Sequence, residues 1–312
     1  MTINFSDRAL RGVLAGLVPA VFLAVGQPAL AEQAASKSKA DLAAEIGASE
    51  RVNYSGKLRM LSQRVVATGC NAVAGIDPEA SGAAMRDAMN EFALIVDALE
   101  FGNSDLGING AEKRRKTQAR IQMLRDEWAP VAKTLEAIDG GDKSEAQLAV
   151  LAERSAPLLE MAKILVSDLS AQYSDPNAML QMHAILVDIS GRQRMLTQRM
   201  SKNVCLAASG VDQEKAKVEL AATAKLFEAS LLALSSGMLS AGINPPPTPE
   251  IDAGLKVVIS DWQDLKPAVE GVLNGDDISA EERARVFHGM NTMTGNMNSV
   301  VGLYSEASKL GS

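Results

Sequence analysis

The chain is written twice, so its fold has to accommodate two like halves. Residues Gly56–Gln63, GKLRMLSQ, return as Gly191–Gln198, GRQRMLTQ, at an offset of 135 residues. The same offset pairs Cys70 with Cys205, Gly75-Ile76-Asp77 with Gly210-Val211-Asp212, Phe92 with Phe227, Leu99 with Leu234, Gly102 with Gly237 and Gly140 with Gly275. Trp128 and Trp262 correspond if one residue is displaced. So many matches at one spacing imply an internal duplication, with repeats near 35–174 and 175–312.

Each half reads as four helices separated by turn signals. In the first half they span about 35–74, 80–101, 109–138 and 142–172, broken at Gly75-Ile-Asp-Pro78, Gly102-Asn-Ser and Asp139-Gly-Gly-Asp142. In the second half they span 176–209, 212–236, 249–273 and 279–308, with the stiff connector Asn244-Pro-Pro-Pro-Thr-Pro249 unable to continue a helix. Aromatic residues make up only 4% of the chain, while Ala, Leu and Met are plentiful, which favours packed helices over sheets. Short connections between long helices favour antiparallel neighbours. The expectation is an all-α fold of two tandem up-down four-helix bundles, 32–174 and 175–312, related by an internal pseudo-twofold axis. Asp175-Pro176 is the natural boundary, with Pro176 suited to the first turn of a helix.

Residues 1–31 have the order of a secretory signal peptide: Arg8 and Arg11, then the apolar run GVLAGLVPAVFLAVG, then Ala29-Leu-Ala31. An uncleaved anchor is the competing reading, but the run is short for a span and Pro19 interrupts it. Cleavage leaves 29 basic and 37 acidic residues, a net charge of −8. No second apolar stretch of spanning length follows, so the expected product is a soluble periplasmic protein. Its acidic surface argues against nucleic acid as a partner, which requires an extended basic footprint.

Enzymatic motifs are missing from the sequence. There is no Gly-x-Ser-x-Gly elbow, no His-Glu-x-x-His pair and no phosphate-binding glycine loop. The two cysteines form no Cys-x-x-Cys, and His183 and His288 are isolated, so no metal site and no cofactor is expected. Met290, Met293 and Met297 recur at helical spacing, which reads as core packing. The sequence therefore points to a non-enzymatic protein.

At about 100° per residue, Val52, Gly56, Arg59, Gln63, Val66 and Cys70 fall on one helix stripe, and Val187, Gly191, Arg194, Gln198, Ser201 and Cys205 fall on its copy. If the two helices meet side by side in parallel, Arg59 faces Arg194 at one height, and Cys70 faces Cys205 about 16 Å further along. Two arginines in a half-buried seam repel unless they share something negative. A small anion suits two planar guanidinium forks. Gly56 and Gly191 each cost roughly 0.5–1 kcal/mol in mid-helix relative to Ala, and they either make room for a ligand or let the facing backbone approach. Gln63 and Gln198 either orient a guanidinium or cap the cavity, or are ordinary polar positions. Arg64 and Arg199 point about 140° away and suit ion pairs within their own bundles, while Lys57 and Arg192 are expected in solvent. Cys70 and Cys205 are either a disulfide closing a loop of more than a hundred residues, or two buried thiols held apart.

GRQRMLTQRMSK, and more loosely GKLRMLSQR, resemble the ligand-binding helix of PilJ-type chemotaxis transducer sensory domains, a family related to the periplasmic domains of nitrate/nitrite sensor kinases. The resemblance covers essentially the mature chain as two copies. It implies that nitrate or nitrite is held where motif helices meet, by Arg59 and Gly56 from one repeat and Arg194 and Gly191 from the other. The implied role is periplasmic anion binding or sensing without an output module of its own. The implied partner is the periplasmic domain of a membrane sensor or transporter. The alternative is a protein–protein interaction scaffold with a degenerated sensor fold. Repeat one departs from the motif, carrying Val65-Val66-Ala67 where repeat two carries Met200-Ser201-Lys202.

Overall fold

Among the described residues, turn chemistry at matching positions cuts each half into four helices. The computed structural model describes residues 46–173 and 181–310. The expected signal peptide, the start of the first helix near 35, the boundary at Asp175-Pro176 and the side chain of His183 lie outside the described residues. The first half comprises α1 (Ala48–Val73), α2 (Pro78–Phe101), α3 (Arg115–Asp139) and α4 (Glu145–Tyr173). The second comprises α5 (Gln181–Ala208), α6 (Gln213–Ser236), α7 (Pro249–Asn274) and α8 (Ala280–Leu310). Among the described residues there are no strands, and the fold is all-α.

The duplication extends to the loops. Asp77 and Asp212 adopt left-handed φ angles of 40° and 46° ahead of α2 and α6. At the far ends of those helices, Gly102 and Gly237 take φ of 86° and 79°, the left-handed side that glycine adopts without steric penalty. Isolated bridges Asn103–Ile108 and Met238–Ile243 then close the same small loop in each half. Thr248 caps α7 by accepting the Ile251 N–H at 3.3 Å, and Pro249 opens the helix.

Each half packs as an antiparallel ring, with α1 against α2 and α4, and α5 against α6 and α8. An aromatic pair recurs inside each bundle: Phe92 stacks on Trp128 at 4.2 Å, and Phe227 meets Trp262 edge-on at 5.4 Å. Met290, Met293 and Met297 are fully buried. The apolar side chains of both bundles make one continuous core because α1 also packs against α5.

A disulfide joins Cys70 to Cys205 with their Cα atoms 6.1 Å apart. His288 on α8 crosses to Asp77 at the start of α2, Nε2 to Oδ2 at 2.8 Å, a second link between the bundles. Among the described residues, no helix is long and apolar enough to cross a membrane.

The third helix starts at Arg115 rather than near 109, and a buried arginine explains the difference. Arg51 is 1% exposed and donates to the carbonyls of Leu99 at 3.0 Å, of Ile46 at 3.3 Å and of Gly110. Its charge faces Glu112 at 3.9 Å. Glu112 accepts the N–H groups of Lys113 and Arg114 at 2.9 and 2.8 Å, and the Tyr173 hydroxyl at 2.7 Å. A helix through 110–114 would take the Gly110 carbonyl that satisfies this buried pair and turn the chain away from it, so the segment stays out of the helix.

Candidate functional site

The motif helices α1 and α5 lie side by side and run in the same direction. At one height Cys70 meets Cys205; eleven residues earlier on each helix, Arg59 and Arg194 approach the same glycine. A Cβ built on Gly191 would lie 3.7 Å from Arg194 Nη2 and 4.0 Å from Arg59 Nη2. One built on Gly56 would lie 3.8 Å from Arg59 Nη2. Side-chain nitrogens, not facing backbone, bound the space over both glycines. Of the two roles expected for them, close backbone approach is therefore not what the geometry displays.

The two arginines are held differently. Arg59 donates from Nη1 and Nη2 to Asp188 Oδ1, both at 3.3 Å, while its Nε is buried with no hydrogen-bond partner. Arg194, 5% exposed, donates from Nη1 to the neutral Asn298 Oδ1 at 2.6 Å and from Nε to Gly191 O at 3.5 Å. Burial pushes Arg194 down to about 10, with the positive charge of Arg59 pushing the same way and Glu91 opposing. Arg59 is also lowered by burial, against the pull of Asp188. A buried and a partly buried cation thus crowd each other, and one native carboxylate relieves part of the repulsion.

Asp188 corrects the expectation that only an outside guest could reconcile the arginines. It stands three residues before Gly191, where repeat one carries Asn53. That single difference between the repeats was the available signal. Asp188 also holds the exposed Arg192 at 2.5 Å, so Arg192 is not simply solvated, and Lys57 likewise pairs with Glu91.

Gln63 and Gln198 turn away from the guanidinium groups toward the last helix of their own bundles. Gln63 Nε2 reaches Ser62 Oγ at 3.3 Å and Ser155 O at 3.5 Å. Gln198 Nε2 donates to Thr294 Oγ1 at 2.8 Å and Asn291 Oδ1 at 3.3 Å. They brace the motif helices. Arg199 pairs within its bundle with Glu219 at 3.5 Å; Arg64 is lowered by burial and stabilised by the fields of Glu91 and Asp87. Lys202, one position beyond the second motif's stripe, reaches into bundle one, Nζ to Ser155 Oγ at 3.1 Å, and holds Glu219 at 3.1 Å.

Two helical bundles that press matching arginine-bearing helices together define a fused pair of helical modules. The family model for the type IV pili methyl-accepting chemotaxis transducer N-terminal domain, PilJ, matches the chain twice, over residues 42–153 and 177–286, and the chain belongs to that family. It is thus a protein of sensory, chemotaxis-transducer-related domains. No curated protein matches it.

Proposed function

We propose that this protein binds a small monovalent anion, nitrate or nitrite, between Arg59 and Arg194 in the periplasm. In this reading it passes occupancy, or the anion, to the periplasmic domain of a membrane sensor or transporter and catalyses no reaction. One observation carries it: the space over Gly191 is bounded by a terminal guanidinium nitrogen from each repeat. Charge supports an anion. Arg59 and Arg192 share the one carboxylate of Asp188, and the hydrogen-bond partner of Arg194 is neutral, so the seam keeps an excess of positive charge that an anion would offset. The identity nitrate or nitrite rests on family kinship, and the compartment on the signal-peptide pattern of residues 1–31.

Calorimetric titration with nitrate, nitrite, chloride and sulfate, repeated with Arg59→Ala and Arg194→Ala, tests the proposal. Saturable binding of a monoanion that either substitution abolishes is the expected result. No saturable binding of any of the four rejects it. The pairing of Arg59 with Asp188 favours the second reading, an interaction scaffold, because it engages both terminal nitrogens of that arginine without a ligand. A scaffold predicts no thermal stabilisation by anions, whereas a ligand selective for the native state must raise stability.

A further inference from the structure

We infer that the outer face of α6 is a docking surface for the same face of a second copy of this chain, the two α6 helices packing antiparallel. The internal duplicate serves as the control. On α2, Arg86, Asp87, Glu91 and Asp97 carry charge on a face that also exposes Leu94 at 46% and Phe101 at 64%; the α6 positions matching the four charges are Ala221, Ala222, Leu226 and Leu232. All four of these α6 residues are exposed, so at those positions repeat two carries apolar groups in solvent where repeat one carries charges.

The spacing along this face is that of a coiled-coil seam. Val218, Ala222, Lys225, Ala229, Leu232 and Ser236 alternate steps of four and three residues, and every one is exposed. The seam extends roughly 27 Å at 1.5 Å per residue. Its sizes are self-complementary in one register. An antiparallel pair centred on residue 227 sets Val218 against Ser236 of the second copy, Leu232 against Ala222, and Lys225 against Ala229. Every layer then joins a large side chain to a small one, the arrangement that interdigitates without voids. A parallel pair would instead oppose Lys225 to Lys225 and Ala to Ala, combining repulsion with gaps. Antiparallel pairs shifted by a heptad leave two of the six positions unmatched.

The charge pattern agrees. No carboxylate lies on the seam, so two chains of the same negative sign meet where neither is negative. Lys225 lays its stem over Ala229 and brings its ammonium beside Glu228 of the second copy. Val218 is 70% exposed, Leu226 54% and Leu232 63%. With the three alanines they offer at most roughly 500 Å² per copy, or about 1,000 Å² for the pair, the lower limit for a biological interface.

Light scattering coupled to size exclusion, on the purified chain at micromolar concentration, should return twice the mass of one chain. Leu232→Glu and Ala222→Lys should each halve that mass while leaving the helical circular dichroism unchanged, because both positions are exposed, and should remove any dependence of the melting temperature on protein concentration. Mixing the two variants should restore the twofold mass, since the register sets the introduced carboxylate against the introduced ammonium. A single-chain mass for the unsubstituted protein, a dimer indifferent to either substitution, or no recovery on mixing would overturn the inference.

Discussion

Replacing Asp188 with Asn gives repeat two the side chain that repeat one already carries at Asn53, and it should change the valence the seam prefers. In the native protein the carboxylate occupies both terminal nitrogens of Arg59 at 3.3 Å. An anion on the other side of that guanidinium stands about 5 Å from the carboxylate, a repulsion on the order of 1–3 kcal/mol for effective dielectric constants between 80 and 20. The Asp188 side chain is 40% exposed, which places the value near the lower end. At about 1.4 kcal/mol, Asp188→Asn tightens nitrate roughly tenfold. The repulsion scales with ligand charge, so sulfate tightens roughly a hundredfold, and the monovalent-over-divalent preference falls by about ten. Calorimetry of both variants with nitrate and sulfate, at one fixed ionic strength, reads this directly. An unchanged nitrate-to-sulfate ratio would refute the charge argument. Weaker nitrate binding would show instead that Asp188 positions Arg59 rather than competing for it.

Gly191→Ala should stabilise the fold by roughly 0.5–1 kcal/mol through helix propensity, since the added methyl meets nothing closer than 3.7 Å, yet weaken anion binding at least tenfold by filling the space between the guanidinium groups; thermal melts and calorimetry on one sample would show both, and unaltered affinity would contradict it. Reducing the Cys70–Cys205 disulfide, which spans 135 residues, should lower stability by up to about 5 kcal/mol on chain-entropy grounds, visible as a lower urea midpoint, and an unmoved midpoint would count against it. Lys202 is held down to about 8 by burial, against Glu219, from an ordinary 10.5. The unfolded chain therefore binds more protons above pH 8, and stability should rise by up to about 2 kcal/mol between pH 8 and 10. That window lies below the range where Tyr173 and Tyr304, both raised to about 12, begin to cost stability. Lys202→Met should remove the rise between pH 8 and 9, below the range where Arg194, lowered to about 10, begins to contribute; a rise that persists there would assign it to another group.

Helix periodicity made much of this architecture legible, because burial faces follow from spacing alone. The 135-residue offset named the pairs that lie opposite each other, Cys70 with Cys205 and Arg59 with Arg194, and turn residues such as Gly102 and Gly237 marked helix ends within a residue or two. Spacing says which face a residue occupies but not where a long side chain's head settles. Arg59 bends to Asp188, and Gln63 and Gln198 turn inward to Ser155 and Thr294. The start of α3 was hidden for a different reason. Residues 109–114 sit beside a helical pattern, and only the distant Arg51, whose burial depends on the tertiary fold, claims the carbonyl of Gly110.

The differences between the repeats explain why a fused pair is more than two copies in one chain. A homodimer must carry each substitution twice across its twofold axis. Asp188 in a symmetric dimer would bring two carboxylates to the seam, one for each arginine of the pair, leaving less positive charge for an anion to offset. In the fused chain, Asn53 keeps one half neutral while Asp188 trims the other, so an intermediate charge becomes attainable between two like helices. The same freedom lets Lys202 cross from repeat two to Ser155 where repeat one has only Ala67. On the proposals above, it also lets α6 shed surface charges that α2 retains and offer an outer contact without disturbing the inner one. Duplication followed by unequal drift would then separate two tasks that a symmetric dimer would have to perform with one surface.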